Sequence, residues 1–293
     1  MKNFIYDYYG YLCEEEDKFH YQGFTFNLEI NQKNHLQTEE MNNFIINLSA
    51  SLYGKRAYIV PSRNDQLLVD SEYGSVSLVS VENFDVTLND IINFHSYSLK
   101  NNEKLNLYTV KELWMKKLNF IEQVIMPSLR IEEYYYQLLI ICVTHAIGMA
   151  TNAISYLQDL IIDYSKDIEI ITLAHKRLKL NSYELLNPFN LIIDSPLRDY
   201  AELYKNGEIN FEELLSLFSL YPFTSKDYSL FLARCLFPSK LFDLLESHYQ
   251  KRDDLTTDLN EYYQNINSCI ENIKKIHSYL VSNYGIRKIN WLF

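Results

Sequence analysis

The chain has 293 residues, of which 47% are hydrophobic, and a formal net charge of −11 at pH 7. This length and composition suffice for one large or two modest folded domains with a hydrophobic core. The negative charge argues against a nucleic-acid partner, because affinity for a phosphate backbone comes from Lys and Arg side chains. With only seven glycines in the chain, a phosphate loop that depends on glycine is not expected.

The cysteines and the apolar segments are those expected of a protein in the cytoplasm. No zinc-type histidine spacing accompanies the widely separated cysteines, which stand at positions 13, 142, 235 and 269. Neither a disulfide framework nor a metal site is therefore expected. The longest apolar run, residues 138–150, is interrupted by Thr144 and His145 and is shorter than the ~20 residues of a membrane span. We expect a cytoplasmic protein with no membrane segment.

Residues 1–83 are predicted to form a small mixed lobe. Phe24, Phe26 and Leu28 alternate with polar residues, and this period of two predicts a strand over 24–30. A helical period follows over 38–48. Short strands are predicted in sequence at 57–61, 66–69 and 75–81, because β-branched and apolar residues there are separated by turn-forming residues.

Residues 84–293, after a linker near 83–86, are predicted to form a larger helical lobe. Thr109 and Glu112 have the spacing of a capping box, which predicts a helix that begins there and ends at Pro127. A long helix is expected over 128–165 and an amphipathic one from Leu259 onward. The apolar stripe of the last helix either packs on its own lobe or forms a dimer seam. The fold class is therefore α+β.

One motif carries the functional information in the second half of the chain. It begins with His175-Lys-Arg-Leu-Lys-Leu-Asn-Ser182 and continues with Ile192-Ile-Asp194 and Ser195-Pro-Leu-Arg-Asp199. This motif resembles the active site of aminoglycoside and choline kinase-like phosphotransferases, which carry His-Gly-Asp-x-His-x-x-Asn, then a strand ending in Ile-Asp, then Arg-Asp-Leu. The resemblance implies a two-lobed protein-kinase-like fold, with a small mixed N-terminal lobe and a large helical C-terminal lobe.

Set against the family pattern, the motif keeps some residues and replaces others. His175, Asp194 and Asp199 match the pattern, whereas Arg177 stands at the catalytic aspartate and Ser182 at the metal-binding asparagine. The resemblance gives His175 and Asp199 structural roles. It leaves Asp194 as the one vestigial metal ligand. We expect Asp194 to form an ion pair with Arg177, which suits bidentate contact with a carboxylate, or to cap the chain before Pro196.

Within that superfamily, the chain resembles the bacterial spore-coat-associated CotS/YutH group. The resemblance spans the whole chain and is carried by the segments His145–Leu157, Ser195–Asp199, Leu236-Phe-Pro238 and Ile289–Leu292. It implies that, in a spore former, the protein associates with the developing spore coat. Spore coat is therefore the alternative to a cytoplasmic location.

The chain lacks several groups on which phosphoryl transfer depends. The reaction requires that the phosphates are held, that metal neutralises their charge and that a base positions the attacking hydroxyl. The segment Leu12–Asp17 is acidic where a phosphate loop is expected, and the strand 24–30 contains no lysine. Arg177 cannot accept a proton, and Ser182 is a poor ligand for a divalent metal. We therefore expect no cofactor and no nucleotide binding.

Three functions remain open from the sequence. The first is a catalytically inactive pseudokinase that serves as a binding or scaffold module for an unknown protein partner. The second is an active small-molecule phosphotransferase with displaced catalytic residues, namely Asp194 with a carboxylate from Glu184 or Glu202. The third is a nucleotide-independent sensor of small molecules that uses the former cleft between the lobes. Nucleotide-dependent phosphate release would separate the first two.

Overall fold

The computed structural model describes residues 2–12, 18–71, 74–99, 103–129, 135–251 and 255–292. Apart from Leu12, the acidic segment Leu12–Asp17 lies outside the described residues. The chain divides into two compact units, one made of Met1–Leu99 with Thr172–Ile193 and the other of Lys100–Ile171 with Asp194–Phe293. The first unit thus extends beyond residue 83 and includes a second stretch of chain.

The helices and strands of the described residues follow in chain order. The helices are α1 Lys2–Tyr9, α2 His35–Tyr53, α3 Leu88–Tyr97, α4 Leu107–Phe120, α5 Met126–Ser128, α6 Tyr136–Asp163, α7 Ser182–Leu186, α8 Leu197–Lys205, α9 Phe211–Phe218, α10 Ser225–Leu236, α11 Ser239–Lys251 and α12 Thr256–Tyr284. The strands are β1 Lys18–Tyr21, β2 Phe24–Ile30, β3 Ala57–Val60, β4 Val69–Ser71, β5 Gly74–Glu82, β6 Leu105–Asn106, β7 Asp167–Ile168, β8 Thr172–His175 and β9 Leu191–Asp194.

An antiparallel sheet forms the centre of the first unit. Its strand order is β1-β2-β5-β3, with β4 paired to β5. The register of β2 on β5 places Phe24 opposite Glu82 and Ile30 opposite Val76. Phe26 and Leu28 are buried in the core on one side of β2. The strands predicted over 24–30, 57–61 and 75–81 are confirmed as β2, β3 and β5. Of the strand predicted over 66–69, only Val69 belongs to a strand, β4.

Helix α2 is longer than the predicted 38–48, and its ends show why. The Asn34 side chain accepts from the Gln37 N–H at 2.9 Å, and the Gln37 side chain accepts from the Asn34 N–H at 3.2 Å. This reciprocal capping starts the helix early. At the other end Gly54 adopts φ 59°, a left-handed conformation that glycine adopts without steric cost.

Hydrogen bonds fasten β8 to the end of α3 and so join the second stretch of chain to the first unit. The Thr172 hydroxyl donates to the His95 carbonyl at 3.0 Å and lies 2.6 Å from the Ser98 hydroxyl oxygen. The Leu173 N–H donates to the same Ser98 oxygen at 3.2 Å. Ser98, Thr172 and His95 are all buried, so these bonds are shielded from competing water.

The second unit is helical, with α6 packed against α4, α10 and α12. The small ribbon β6–β7 pairs Leu105 with Ile168. By length and composition alone, α6 is apolar enough to cross a membrane. The core helix of a soluble protein meets the same criteria, and α6 buries apolar side chains such as Leu139, Val143 and Leu157 within the unit.

The helix predicted from Thr109 to Pro127 begins two residues earlier than expected and ends within one residue of the predicted end. α4 begins at Leu107, because the Asn106 side chain accepts from the Tyr108 N–H at 2.9 Å and caps it. Helical structure then continues through a π-helical segment, Ile121–Ile125, into α5. Pro127 lies in the last turn of this continuous helical stretch, which ends one residue later at Ser128, because proline lacks the N–H that a helix interior requires. The predicted C-terminal amphipathic helix is confirmed as α12.

Candidate functional site

The loop between β8 and β9 carries the motif that follows His175 in the first unit. The Lys176 N–H donates to the Asn190 carbonyl at 2.7 Å. The Asn190 side chain then accepts from the Arg177 N–H at 3.0 Å and donates to the Glu184 carbonyl at 2.9 Å. A single buried asparagine therefore holds the beginning, middle and end of the loop.

His175 lies at the end of β8 and is fully buried. Its Nε2 lies 3.0 Å from the Leu185 carbonyl oxygen, and its ring centroid lies 4.7 Å from that of Phe94. Because a carbonyl oxygen can only accept, Nε2 carries the proton in this contact. The ring thus connects α7 with α3 inside the unit.

Arg177 and Ser182 occupy the positions that the family pattern reserves for a base and a metal ligand. The Arg177 side chain is half-buried, and its Nη1 donates to the Lys176 carbonyl at 2.5 Å. Ser182 is buried as the first residue of α7. The preceding Asn181 caps that helix, because its side chain accepts from the Glu184 N–H at 2.8 Å. The asparagine nearest to the expected ligand position is therefore occupied as a helix cap.

Glu29 of β2 is a polar centre that the sequence did not reveal. Its Oε1 accepts from the Tyr183 hydroxyl at 2.7 Å, the Asn187 side chain at 2.8 Å and the Asn27 side chain at 3.0 Å. These contacts fasten the loop to the sheet of the first unit. The alternation of β2 predicts only a solvent-facing position here. The one available signal is that Glu29 is the only charged residue in Phe24–Ile30.

Glu184 on α7 is the acid of the loop whose pKa departs from its ordinary value. Burial, followed by the negative charge of Glu29, raises the pKa of Glu184, while His175 opposes the shift. One oxygen of Glu184 also accepts from the Asn190 side chain at 3.1 Å. The loop therefore contains a half-buried acid that releases its proton less readily than an exposed glutamate.

Asp194 ends β9 and is held by two arginines of the second unit. Its Oδ1 lies 2.6 Å from Arg234 Nη2, and its Oδ2 lies 3.1 Å from Arg198 Nη1. The Ser195 N–H also donates to Oδ1 at 2.7 Å. Asp194 and Arg234 are 3% and 6% exposed, so their ion pair is shielded from solvent. Burial lowers the pKa of Arg234, and the Asp194 charge opposes that shift.

The sequence predicted the wrong arginine for Asp194. Arg198 follows Asp194 by only four residues, across the turn between β9 and α8, so this partner was close in sequence. Arg234 lies on α10, and no local pattern indicates that it reaches Asp194. Arg177 instead contacts the carbonyl of its own neighbour.

The residues around Asp194 do not fit a magnesium ion. Magnesium prefers several oxygen ligands, whereas both Asp194 oxygens are in contact with guanidinium groups that repel a cation. Among the residues that the structure describes, no group of three or more His, Cys, Asp and Glu side chains could hold a metal ion.

Two further acids of α8, Asp199 and Glu202, are stabilised by the helix itself. Asp199 is fully buried in the first turn of α8, where a negative charge is favoured by the helix dipole. Glu202 is 6% exposed and pairs with Lys205, Oε1 to Nζ, at 3.2 Å. Glu202 is therefore neutralised within its own helix.

The sheet with α2, the β8–β9 ribbon and the helical remainder together define an aminoglycoside phosphotransferase-like, α+β fold. The aminoglycoside phosphotransferase from Alicyclobacillus acidocaldarius is similar, with a TM-score of 0.51 at 11% identity over 92% of each chain. A spectinomycin phosphotransferase solved with ADP and spectinomycin has a TM-score of 0.47 at 11% identity, over 94% of this chain and 92% of its own. The predicted kinase-like fold is confirmed.

The family of the chain follows from its sequence. Residues 2–282 match the family described as "Spore coat putative kinase YutH", and the chain belongs to this family. The predicted family is therefore confirmed. No curated protein matches the chain.

Proposed function

We propose that the protein is a catalytically inactive member of its kinase-like family and serves as a binding or scaffold module for a protein partner. The observation that carries this proposal is the state of Asp194, the residual metal-ligand candidate. Its two carboxylate oxygens contact Arg234 and Arg198 at 2.6 and 3.1 Å. A metal ion would have to displace both guanidinium groups and leave Arg234 buried without its anion, which is strongly unfavourable.

The loop after His175 supports the same proposal. Arg177 stands where a base is required and cannot accept a proton. The remainder of the loop is bonded internally through Asn190 and to β2 through Glu29. A carboxylate on β2, where the resembling enzymes have a phosphate-binding lysine, would repel nucleotide phosphates.

The family name supports a location on the spore coat, with the cytoplasm as the alternative. In a spore-forming host, a fluorescent fusion of the full chain is expected to form a shell around the developing spore. A signal spread evenly through the cytoplasm of sporulating cells would favour the alternative. Crosslinking of the spore-associated fusion would then identify the protein partner.

Nucleotide binding tests the loss of catalysis. A ligand at a hundred times its dissociation constant stabilises a protein by about 2.7 kcal/mol, which raises the melting temperature by roughly 5 °C or more. With millimolar ATP and magnesium we expect a change near zero. An active aminoglycoside phosphotransferase in the same buffer is the positive control. A magnesium-dependent rise of several degrees that disappears in Asp194→Asn would contradict the proposal.

An active phosphotransferase with a displaced base is the second candidate, and Glu184 is the observation that favours it. Raised carboxylate pKa values are typical of general bases and acids, and burial together with Glu29 raises the pKa of Glu184. Phosphate release from ATP that is abolished in Glu184→Gln, but not in the exposed control Glu40→Gln, would favour this candidate. No phosphate release from the wild-type protein above buffer would exclude it.

A further inference from the structure

The second unit contains a cavity of about 260 Å³. Its walls come from α6, the end of α8, the connection between α10 and α11, and one face of α12. Met149, Leu236 and Phe237 give it a buried apolar part. Packed interiors leave few voids larger than a water molecule, and a protein cavity of about 150 Å³ already suffices to bind a molecule the size of benzene. The cavity is therefore large enough for a small ligand.

A hydrogen-bonded pair, His145 and Tyr262, lines one side of the cavity. His145 Nδ1 lies 3.0 Å from the Tyr262 hydroxyl oxygen. Burial lowers the pKa of His145, so the imidazole is neutral at neutral pH. Its Nε2 has no hydrogen-bond partner in the described part of the chain. The pair can therefore offer a hydrogen bond to a ligand without adding charge.

Lys205 lines the cavity, but its charge is already neutralised. Its Nζ forms three hydrogen bonds, to Glu202 Oε1 at 3.2 Å and to the carbonyls of Phe237 at 3.2 Å and Arg234 at 3.3 Å. An ammonium group has three donors, so Lys205 has none left for an anion. These bonds also connect α8 to the end of α10 and hold this wall of the cavity in place.

Asp258 is the charge in the cavity that has no counter-ion. At the same cavity, Lys240 and Glu261 neutralise each other, Nζ to Oε1, at 3.1 Å. Asp258 is half-buried in the first turn of α12 and, in the part of the chain that the structure describes, has no ion-pair or hydrogen-bond partner. The walls therefore combine an apolar part, a neutral hydrogen-bonding pair and one uncompensated negative charge.

We propose that this cavity binds a small organic cation, with its ammonium group at Asp258 and its apolar body against Met149 and Phe237. The apolar part of the lining and the one carboxylate without a counter-ion select for a molecule with one positive charge. An anion would be repelled by Asp258, and a neutral molecule would form no ion pair with it. This binding goes beyond the proposed scaffold function and does not depend on it.

Three probes of similar shape and different charge test the proposal on the full chain. They are 2-phenylethylamine, 2-phenylethanol and phenylacetate, titrated by calorimetry or by ligand-observed NMR. The amine is expected to bind most tightly and the acid most weakly. Asp258→Asn should weaken the amine roughly fivefold, as expected for an ion pair on a partly exposed carboxylate, and leave the alcohol unchanged.

Two further variants separate the cavity from the rest of the surface. Glu271→Gln removes a 70% exposed carboxylate on the same helix, outside the lining, and should leave the affinity for the amine unchanged. Ile266→Phe narrows the cavity and should weaken the amine and the alcohol alike. Absence of binding by the amine, equal affinities for the three probes, or amine binding that survives both Asp258→Asn and Ile266→Phe would overturn the proposal. Circular dichroism checks that each variant is folded.

Discussion

The loop after His175 and the surroundings of Asp194 differ in the forces that hold them. In the loop, Asn190 and Glu29 organise the chain through hydrogen bonds, several of them from neutral amide and hydroxyl groups. At Asp194, one buried guanidinium group, of Arg234, and one partly exposed one, of Arg198, neutralise a buried carboxylate. The comparison shows two ways in which polar side chains are held in place, by hydrogen bonds and by buried ion pairs. The two ways differ in how much stability is lost when a partner is removed.

Arg234→Leu should have the largest effect, because it leaves Asp194 buried without its nearest cation. Breaking a buried ion pair costs about 3–5 kcal/mol, and for a unit of this size the melting temperature should fall by roughly 10 °C. Chemical denaturation measures the loss. Arg198, the partly exposed partner of Asp194, offers a matched control, because Arg198→Leu should lower the free energy of unfolding less than Arg234→Leu does. If Arg234→Leu lowers the free energy of unfolding by less than about 1 kcal/mol, the ion pair between Arg234 and Asp194 does not stabilise the surroundings of Asp194.

Asn190→Ala should destabilise less, by about 2–3 kcal/mol, because it removes the side-chain partner of partly buried backbone groups of Arg177 and Glu184. Urea unfolding of the full chain measures this change. The exposed Asn43 on α2 provides the control, since Asn43→Ala should stay within about 0.5 kcal/mol of the wild type. Equal effects of the two substitutions would show that Asn190 does not organise the loop.

Tyr183→Phe removes one hydrogen bond to Glu29 and should cost about 1–2 kcal/mol. Glu29 keeps the bonds from Asn187 and Asn27, which is why the expected loss is smaller than for Asn190. The change is measured by the same unfolding experiment, with the 57% exposed Tyr97 as the control in Tyr97→Phe. If Tyr183→Phe lowers the free energy of unfolding no more than Tyr97→Phe does, the hydrogen bond from Tyr183 does not hold the loop to the sheet.

Glu184→Gln should change the free energy of unfolding least, and the change should depend on pH. Because the folded pKa of Glu184 is raised, the folded protein retains this proton at pH values where the unfolded chain has released it. Wild-type stability should therefore fall as pH rises from about the ordinary value of 4.5 through the folded pKa. The Gln variant lacks this fall, so its stability relative to the wild type should increase toward neutral pH. A constant difference across this range would mean that Glu184 ionises normally.

Prediction from sequence succeeded where a repeating pattern reflects one buried face. The alternation of Phe24, Phe26 and Leu28 identified β2, and the spacing from Leu259 onward identified α12. It failed where an asparagine decides a boundary, since Asn34 and Asn106 start their helices earlier than the apolar pattern indicates.

The candidate site was predicted only in part, for a related reason. The motif located the loop and Asp194, because its residues are close in sequence. The contacts that decide the chemistry join distant residues, such as Arg234 with Asp194 and Glu29 with Tyr183. Neither local periodicity nor the family pattern contains that information, since it depends on how strands and helices meet in the folded chain.

The hydrogen bonds between Thr172, His95 and Ser98 have a consequence for synthesis on the ribosome. The first unit is built from Met1–Leu99 and Thr172–Ile193, so its sheet emerges long before the segment that completes it. At about 5–20 residues per second, the N-terminal segment waits for several seconds before its last hydrogen bonds can form. During that interval the polar side chain of Glu29 lacks Tyr183 and Asn187, and truncated chains that end near Leu99 would retain an unfinished unit exposed to proteolysis.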